Sequence, residues 1–218
     1  MAVVTVERKI LKKNDEFANE NRKVFKDKNI FAINLLSSPG SGKTSLLEQT
    51  LTKLSKSQNI AVVEGDVQTD NDAQRIAKLD IPVVQIVTNG GCHLEAKLVQ
   101  DAFPNFDLDN LDLFVVENVG NLVCPANYDL GEDKKVVLVS TTEGDDKPLK
   151  YPAMFRVADI VIINKVDLLE YVDFDVETVK KNALQINPNL KFYETSCKTG
   201  SGLDEWLSWL ENQIQNKS

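Results

Sequence analysis

The segment SSPGSGKTS, Ser37 to Ser45, limits the fold more than any other stretch of this chain. It follows the apolar run IFAINLL (Ile30 to Leu36) and precedes Leu46, Leu47, Thr50, Leu51 and Leu54, whose spacing is helical. A strand, a glycine-rich loop and a helix in that order make a phosphate-binding loop. Gly40 and Gly42 let backbone N–H groups crowd around phosphate oxygens, Lys43 adds charge, and Thr44 offers a hydroxyl to magnesium. Pro39, Ser41 and Ser45 complete the candidate set on this loop. One position departs from the pattern G-x-x-x-x-G-K-[ST]: Ser37 stands where glycine is expected, and serine would be strained there if the position needed φ > 0. The alternative, a simple glycine- and serine-rich turn, does not account for the flanking strand and helix.

Six further short runs rich in Val and Ile follow: IAVVEG (Ile60 to Gly65), VVQIV (Val83 to Val87), LDLFVVE (Leu111 to Glu117), KVVLVS (Lys135 to Ser140), DIVIIN (Asp159 to Asn164) and KFYETS (Lys191 to Ser196). Continuous apolar runs alternating with helical spacing predict a P-loop NTPase of the α/β class, with a mostly parallel sheet of about seven strands and helices on both faces. At 218 residues and 42% hydrophobic content the chain fits one such domain, expected over 30–218. Ahead of it, over 1–29, Ile10, Phe17 and Val24 recur every seven residues, and Leu11, Ala18 and Phe25 repeat one position later. That pattern predicts an amphipathic N-terminal helix packed on the domain.

In parallel sheets ligands sit at the carboxyl ends of the strands, so the residues found there are the ones to read for chemistry. NKVD, Asn164 to Asp167, follows the sixth strand, and a carboxylate at Asp167 can accept from the ring N–H and the exocyclic amine of guanine together. Adenine offers no such pair. After the last strand, Ser196, Cys197 and Lys198 can present a backbone N–H to the guanine oxygen. With Asn164 and Lys165 they form the candidate base site, and the order of the motifs favours GTP over ATP. ENVGN, Glu117 to Asn121, ends the fourth strand. Glu117 can hold magnesium directly or through water, and Gly120 can offer its N–H to a γ-phosphate. Asn121 stands in place of the glutamine that orients attacking water in many switches, so intrinsic hydrolysis should be slow. In GDVQTDNDAQ, Asp66 or Asp72 could approach magnesium, while Asp70 could equally cap a helix. The candidate catalytic set is Lys43, Thr44, Asp66, Asp72, Glu117 and Gly120, with Thr44, Asp66 and Glu117 on magnesium.

NGGCHLEAK, Asn89 to Lys97, carries the only histidine, next to one of three cysteines. Cys92 and His93 are expected to open a helix, where the dipole and free N–H groups favour a thiolate. Cys124 lies four residues after Gly120, on the segment that would respond to a γ-phosphate. From the residues alone two readings stand, a metal site and ordinary packing of buried thiols. An odd number of distant cysteines argues against a disulfide framework and for a reducing, cytoplasmic setting. A net charge of −8 argues against a nucleic-acid surface, and no apolar run is long enough to span a bilayer.

The phosphate loop, GDVQTDNDAQRI, GGCHLEA, ENVGNLVCPANYDLGE, TEGDDKPLKYP, NKVDLL and SCKTGSGLDEW together resemble the hydrogenase nickel-incorporation GTPases, the HypB family of SIMIBI-class P-loop proteins, from about Ile30 to Trp209. The resemblance implies a GTPase with low intrinsic turnover. It also implies a homodimer promoted by GTP, help in loading nickel into [NiFe]-hydrogenase together with a maturation partner and the hydrogenase large subunit, and a nickel or zinc site at Cys92, His93 and Cys124. Lys97 occupies a place where some relatives carry another histidine. The Cys-rich and His-rich nickel-storing stretches of some relatives are absent from this sequence. Lys147 and Lys150 could reach phosphate or a partner subunit, although surface lysines usually do neither. Two other readings are weighed: a urease-accessory nickel GTPase, which would need histidine where Ala126 follows Pro125, and a P-loop small-molecule kinase, which would need an acceptor pocket.

Overall fold

The structure is a computed structural model that describes residues 6–68 and 71–217. Asp70, considered above as a cap, lies outside the described residues. The apolar runs form seven parallel strands: β1 (Phe31–Ser37), β2 (Ile60–Asp66), β3 (Val83–Val87), β4 (Leu113–Glu117), β5 (Lys134–Ser140), β6 (Ile160–Asn164) and β7 (Lys191–Thr195). Their order is β3-β2-β4-β1-β5-β6-β7, and every neighbouring pair is parallel. β1 is buried along its whole length, as a strand covered on both faces must be. The edge strands β3 and β7 are only partly covered.

Because successive side chains of a strand point to opposite faces, β1 sends Phe31, Ile33 and Leu35 into one core and Ala32 and Leu36 toward the other face. The first core is covered by α2 (Lys43–Leu54), by Ile76 of α3 (Asn71–Ala77) and by α8 (Leu203–Lys217), with Trp206 buried at its centre. The opposite face is covered by α1 (Val6–Asp27) and α4 (Ala96–Ala102) on one side. On the other side lie α6 (Pro152–Val157), which follows the short α5 (Lys147–Lys150), and α7 (Val176–Ile186). Asp175 caps α7 by accepting from the N–H groups of Glu177 and Thr178.

The N-terminal helix forms with Ala18 and Phe25 of the expected stripe buried and Leu11, Phe17 and Val24 partly buried, but its seam also takes in two asparagines. Asn14, Ala18, Asn21 and Phe25 face inward, whereas Ile10 is 44% exposed. The asparagines lie inside because chain ends and turns need partners there. Asn14 Oδ1 accepts the Ala96 N–H at the start of α4 (2.9 Å), and its Nδ2 donates to the Asp129 carbonyl (2.8 Å). Asn21 donates to the carbonyls of Ala96 and Leu130. Two buried amides thus fasten α1 to the loops behind the sheet's carboxyl edge.

Candidate nucleotide and metal sites

The phosphate loop runs from the end of β1 into α2. Ser37 is the last residue of β1 and is not among the residues with left-handed φ, so the expected strain does not arise. Its hydroxyl donates to the Ser38 carbonyl (2.7 Å) and accepts from Lys43 Nζ (3.2 Å). The left-handed turns fall on Gly40 (φ 76°) and Gly42 (φ 98°), where glycine carries no penalty. Gly42 caps α2 without a side-chain hydrogen bond, so the first N–H groups of the helix remain available to an anion. They face a cavity of about 510 Å³ bordered by Pro39, Lys43, Thr44, Glu117 and Gly120.

Glu117 is 1% exposed, and its Oε1 accepts from Thr44 Oγ1 at 2.7 Å. The β2–β4 register sets Glu64 directly beside Glu117, and these two with Asp72 bring carboxylate oxygens within 4.8 Å of one another. Asp66 borders the same cavity but stands outside this cluster of three. Asp72 is held by Arg75, which also contacts Ser45 and Glu48. Glu64 belongs to none of the sequence motifs, and its only sequence signal is a glutamate inside an otherwise apolar buried strand. Burial, with repulsion from Glu117, Asp66 and Asp72, pushes its pKa up to about 8; burial likewise raises Glu117 against the pull of Lys43. One oxygen of each glutamate is buried without a hydrogen-bond partner. Buried, repelling carboxylates beside a threonine hydroxyl fit a divalent cation such as magnesium, which accepts all-oxygen ligands.

That arrangement has a measurable cost. Glu64 keeps its proton up to about pH 8 when folded and sheds it near the ordinary 4.5 when unfolded, so between those values the folded state holds the extra proton. Stability of the chelator-treated, nucleotide-free protein therefore falls as pH rises through this window. Glu64→Gln should recover roughly 3 kcal/mol at about pH 9 relative to about pH 6 in denaturant titrations. Parallel pH profiles for the two proteins would contradict this.

A second cavity of about 520 Å³ continues the first past Gly42, Ser45 and Lys165. Asn164, Asp167, Cys197 and Lys198 border it. Asn164 is 1% exposed, and its Nδ2 donates to the Ser41 carbonyl (3.0 Å); Lys165, at φ 63°, donates to the Gly40 carbonyl (2.7 Å). The base-side segment is thereby bolted onto the phosphate loop. Ser196 Oγ donates to Asp167 Oδ1 at 2.5 Å and accepts the N–H groups of Lys198 and Thr199. Cys197 packs on the core and contacts Asn164. Lys147 is not a free surface lysine: it reaches Ser38 Oγ (3.0 Å) beside Glu143, which meets Ser41 Oγ (3.1 Å). Lys150 is exposed and pairs with Asp146.

Cys92, His93 and Cys124 come together, their ligand atoms all within 4.8 Å of one another. The expected helix start at Cys92 is corrected. Both residues lie in an irregular segment after the turn at Asn89 and Gly90, and α4 begins only at Ala96, where Asn14 supplies the acceptor from a distant helix. Without a helix terminus at Cys92, the thiolate gains no dipole. The hydrogen bond with Cys124, then burial, raises the Cys92 pKa instead. Lys97 points away, to Asp101 and the Phe17 ring. The His93 and Tyr128 rings lie against each other, centroids 3.8 Å apart and tilted by 33°. Burial lowers its pKa against the pull of Glu95, which favours the neutral ring. Its Nε2 is buried without a hydrogen-bond partner, the nearest carboxylate oxygen being Glu95 Oε1 at 3.9 Å. His93 Nδ1 lies 3.6 Å from Cys92 Sγ, and two thiols with a neutral imidazole nitrogen beside them fit a soft or borderline ion such as nickel or zinc. All three cysteines are free.

A phosphate loop at the carboxyl edge of an all-parallel sheet, continued by an Asn-Lys-x-Asp pocket, defines a P-loop nucleotide-binding protein of the GTPase type. The chain belongs to the CobW/HypB/UreG family, on its HypB branch: the family's nucleotide-binding domain matches residues 31–194. It is 51% identical over 213 residues to the hydrogenase maturation factor HypB of Azotobacter chroococcum, covering 97% of this chain and 69% of that protein. It is 49% identical over 211 residues to the factor of the same name from Escherichia coli, covering 97% and 73%. Among solved structures, HypB from Helicobacter pylori in complex with nickel superposes with a TM-score of 0.89 at 40% identity, covering 94% of this chain and 96% of that one.

Proposed function

We propose that this chain is a GTP-binding, slowly hydrolysing metallochaperone that assists nickel insertion into [NiFe]-hydrogenase, and that its metal affinity is tied to nucleotide state and dimerisation. The observation that carries the reading is that both sites share one segment, with Glu117 in the nucleotide cavity and Cys124 in the metal triad. The relatives named as hydrogenase maturation factors and the nickel-bound structure support the cargo. The Asn-Lys-x-Asp pocket, its Asp167 carboxylate fixed by Ser196, supports guanine and disfavours a kinase reading. Ala126 after Pro125 disfavours the urease-accessory alternative.

In this reading Lys43 and the free N–H groups of α2 neutralise the β- and γ-phosphates, and Asp167 selects the base. Thr44 and Glu117, with Glu64, Asp72 or Asp66 nearby, hold magnesium, which supplies positive charge to the transferring phosphoryl group. Gly120 meets the γ-phosphate, while Asn121 leaves water poorly oriented and turnover low. Nickel or zinc is the cargo, gripped by Cys92, His93 and Cys124. Three donors are an incomplete set, and a second copy completes it across a two-fold axis. Val123, 58% exposed beside Cys124, suits burial there. The client is the hydrogenase large subunit, reached through a maturation partner in the cytoplasm. Among the described residues no helix is long and apolar enough to cross a membrane.

The test is nucleotide hydrolysis with guanine and adenine triphosphates. GTP should be turned over slowly and ATP not at all, and Lys43→Ala should lower GTP hydrolysis by roughly a hundredfold or more while the protein stays folded. Normal turnover by Lys43→Ala would sink the phosphate-loop assignment.

A further inference from the structure

The segment between Glu117 and Cys124 is attached to the Cys92–His93 segment at two points, each made by an asparagine side chain. Asn118 is 2% exposed. Its Oδ1 accepts the N–H groups of Leu94 (3.1 Å) and Val119 (2.9 Å), and its Nδ2 donates to Asn34 Oδ1 on β1 (3.2 Å). Its own N–H donates to the Leu35 carbonyl (3.0 Å). Asn121 donates from Nδ2 to the Cys92 carbonyl (3.3 Å), and its Oδ1 accepts the Val123 N–H (2.8 Å), which orders the approach to Cys124. The two amides therefore bracket the metal-bearing stretch, one on the residue after His93 and one on Cys92 itself.

Gly120 lies between these asparagines and against the phosphate loop. A Cβ there would stand 3.1 Å from both the N and the Cα of Pro39. Leu94 adds a third contact: it is fully buried, and its side chain occupies the space over Gly65, beside Asp66 at the end of β2. A displacement of Gly120 when a γ-phosphate arrives cannot leave the metal loop where it was unless these hydrogen bonds break.

We infer that Asn118 and Asn121 are positioning residues that carry nucleotide state to the metal triad. The inference rests on the metallochaperone reading above and names the side chains through which its coupling runs. An amide suits this role because one side chain offers a donor and an acceptor, and can tie two chain segments without introducing charge. Asn118 forms the fixed end, anchored to β1 by backbone and side chain. Asn121 forms the end that moves with Gly120.

The experiment measures nickel affinity of the full chain by calorimetry, and by thiolate-to-nickel absorption, in the presence of GDP and then of a non-hydrolysable GTP analogue. The wild type should show affinities differing by roughly fivefold or more between the two states. Asn121→Asp keeps the acceptor for Val123 and removes the donor to Cys92. Asn121→Ala, which removes the same donor without adding charge, is measured beside it, and for both variants the affinity ratio between the two nucleotide states is read. That ratio should fall to within about twofold of unity while nickel still binds, an effect that a purely structural role would not produce. Asn118→Ala should do the same, with its lower melting temperature read separately. A wild-type ratio retained in Asn121→Asp would overturn the inference and leave the metallochaperone reading standing. Equal affinities in the wild type would overturn both.

Discussion

Asp167→Asn should weaken GTP binding by roughly a hundred- to ten-thousand-fold and turn the protein toward xanthosine nucleotides. In the proposed base site the carboxylate accepts from two guanine donors at once, and the Ser196 hydroxyl, at 2.5 Å, holds it in place. An amide at this position leaves one of those donors facing another N–H group, and can instead donate to the oxygen that replaces the guanine amine in xanthine. Asn164 and Lys165, which fasten this pocket to Ser41 and Gly40, are untouched by the change. The phosphate loop should therefore hold its shape, and the effect should appear as a swap of base preference. Fluorescent-nucleotide titrations with both bases measure it. GTP affinity that survives the substitution would remove Asp167 from the base site.

Cys92→Ala and Cys124→Ala should each lower nickel affinity by more than about a hundredfold, beyond what removal of supporting outer residues typically costs. Each removes one of two sulfur donors from a set of three. His93→Ala should lower it less, because a soft ion draws most on the thiolates. Competition against a chromophoric chelator measures all three. If either cysteine variant binds nickel like the wild type, the triad is core packing and not a ligand set.

Much of this could be read from the sequence, and the residues that could not share a cause. Seven parallel strands announce themselves as Val- and Ile-rich runs, and β3 falls on Val83 to Val87 as the sequence predicts although Gln85 interrupts it. The phosphate and base motifs each follow the carboxyl end of a parallel strand, so the sheet brings Lys43, Thr44, Asn164 and Asp167 to one edge. Long-range polar contacts leave no periodic trace. The apolar stripe of the first helix is legible apart from Ile10, but Asn14 and Asn21 inside its seam are not, because Ala96, Asp129 and Leu130, which satisfy them, lie far along the chain. The same Asn14 sets the start of α4, which is why Cys92 does not sit on a helix terminus. Glu64 is legible as a charge inside an apolar strand, but its pairing with Glu117 comes from strand register, which one chain's sequence does not show. Lys147 read as a surface charge because its partner Ser38 is 109 residues away.

The central claim is that one segment serves two sites, so that whatever factor GTP applies to metal affinity, metal must apply in return to the preference for GTP over GDP. The most direct measurement is a closed cycle on the wild-type protein: nickel affinity in the GDP and GTP-analogue states, and the GTP-analogue to GDP affinity ratio with and without nickel. The account predicts that both comparisons give the same factor, roughly fivefold or larger. A factor of one in both, with nickel still bound stoichiometrically, would show a metal site and a nucleotide site that share a chain and nothing more.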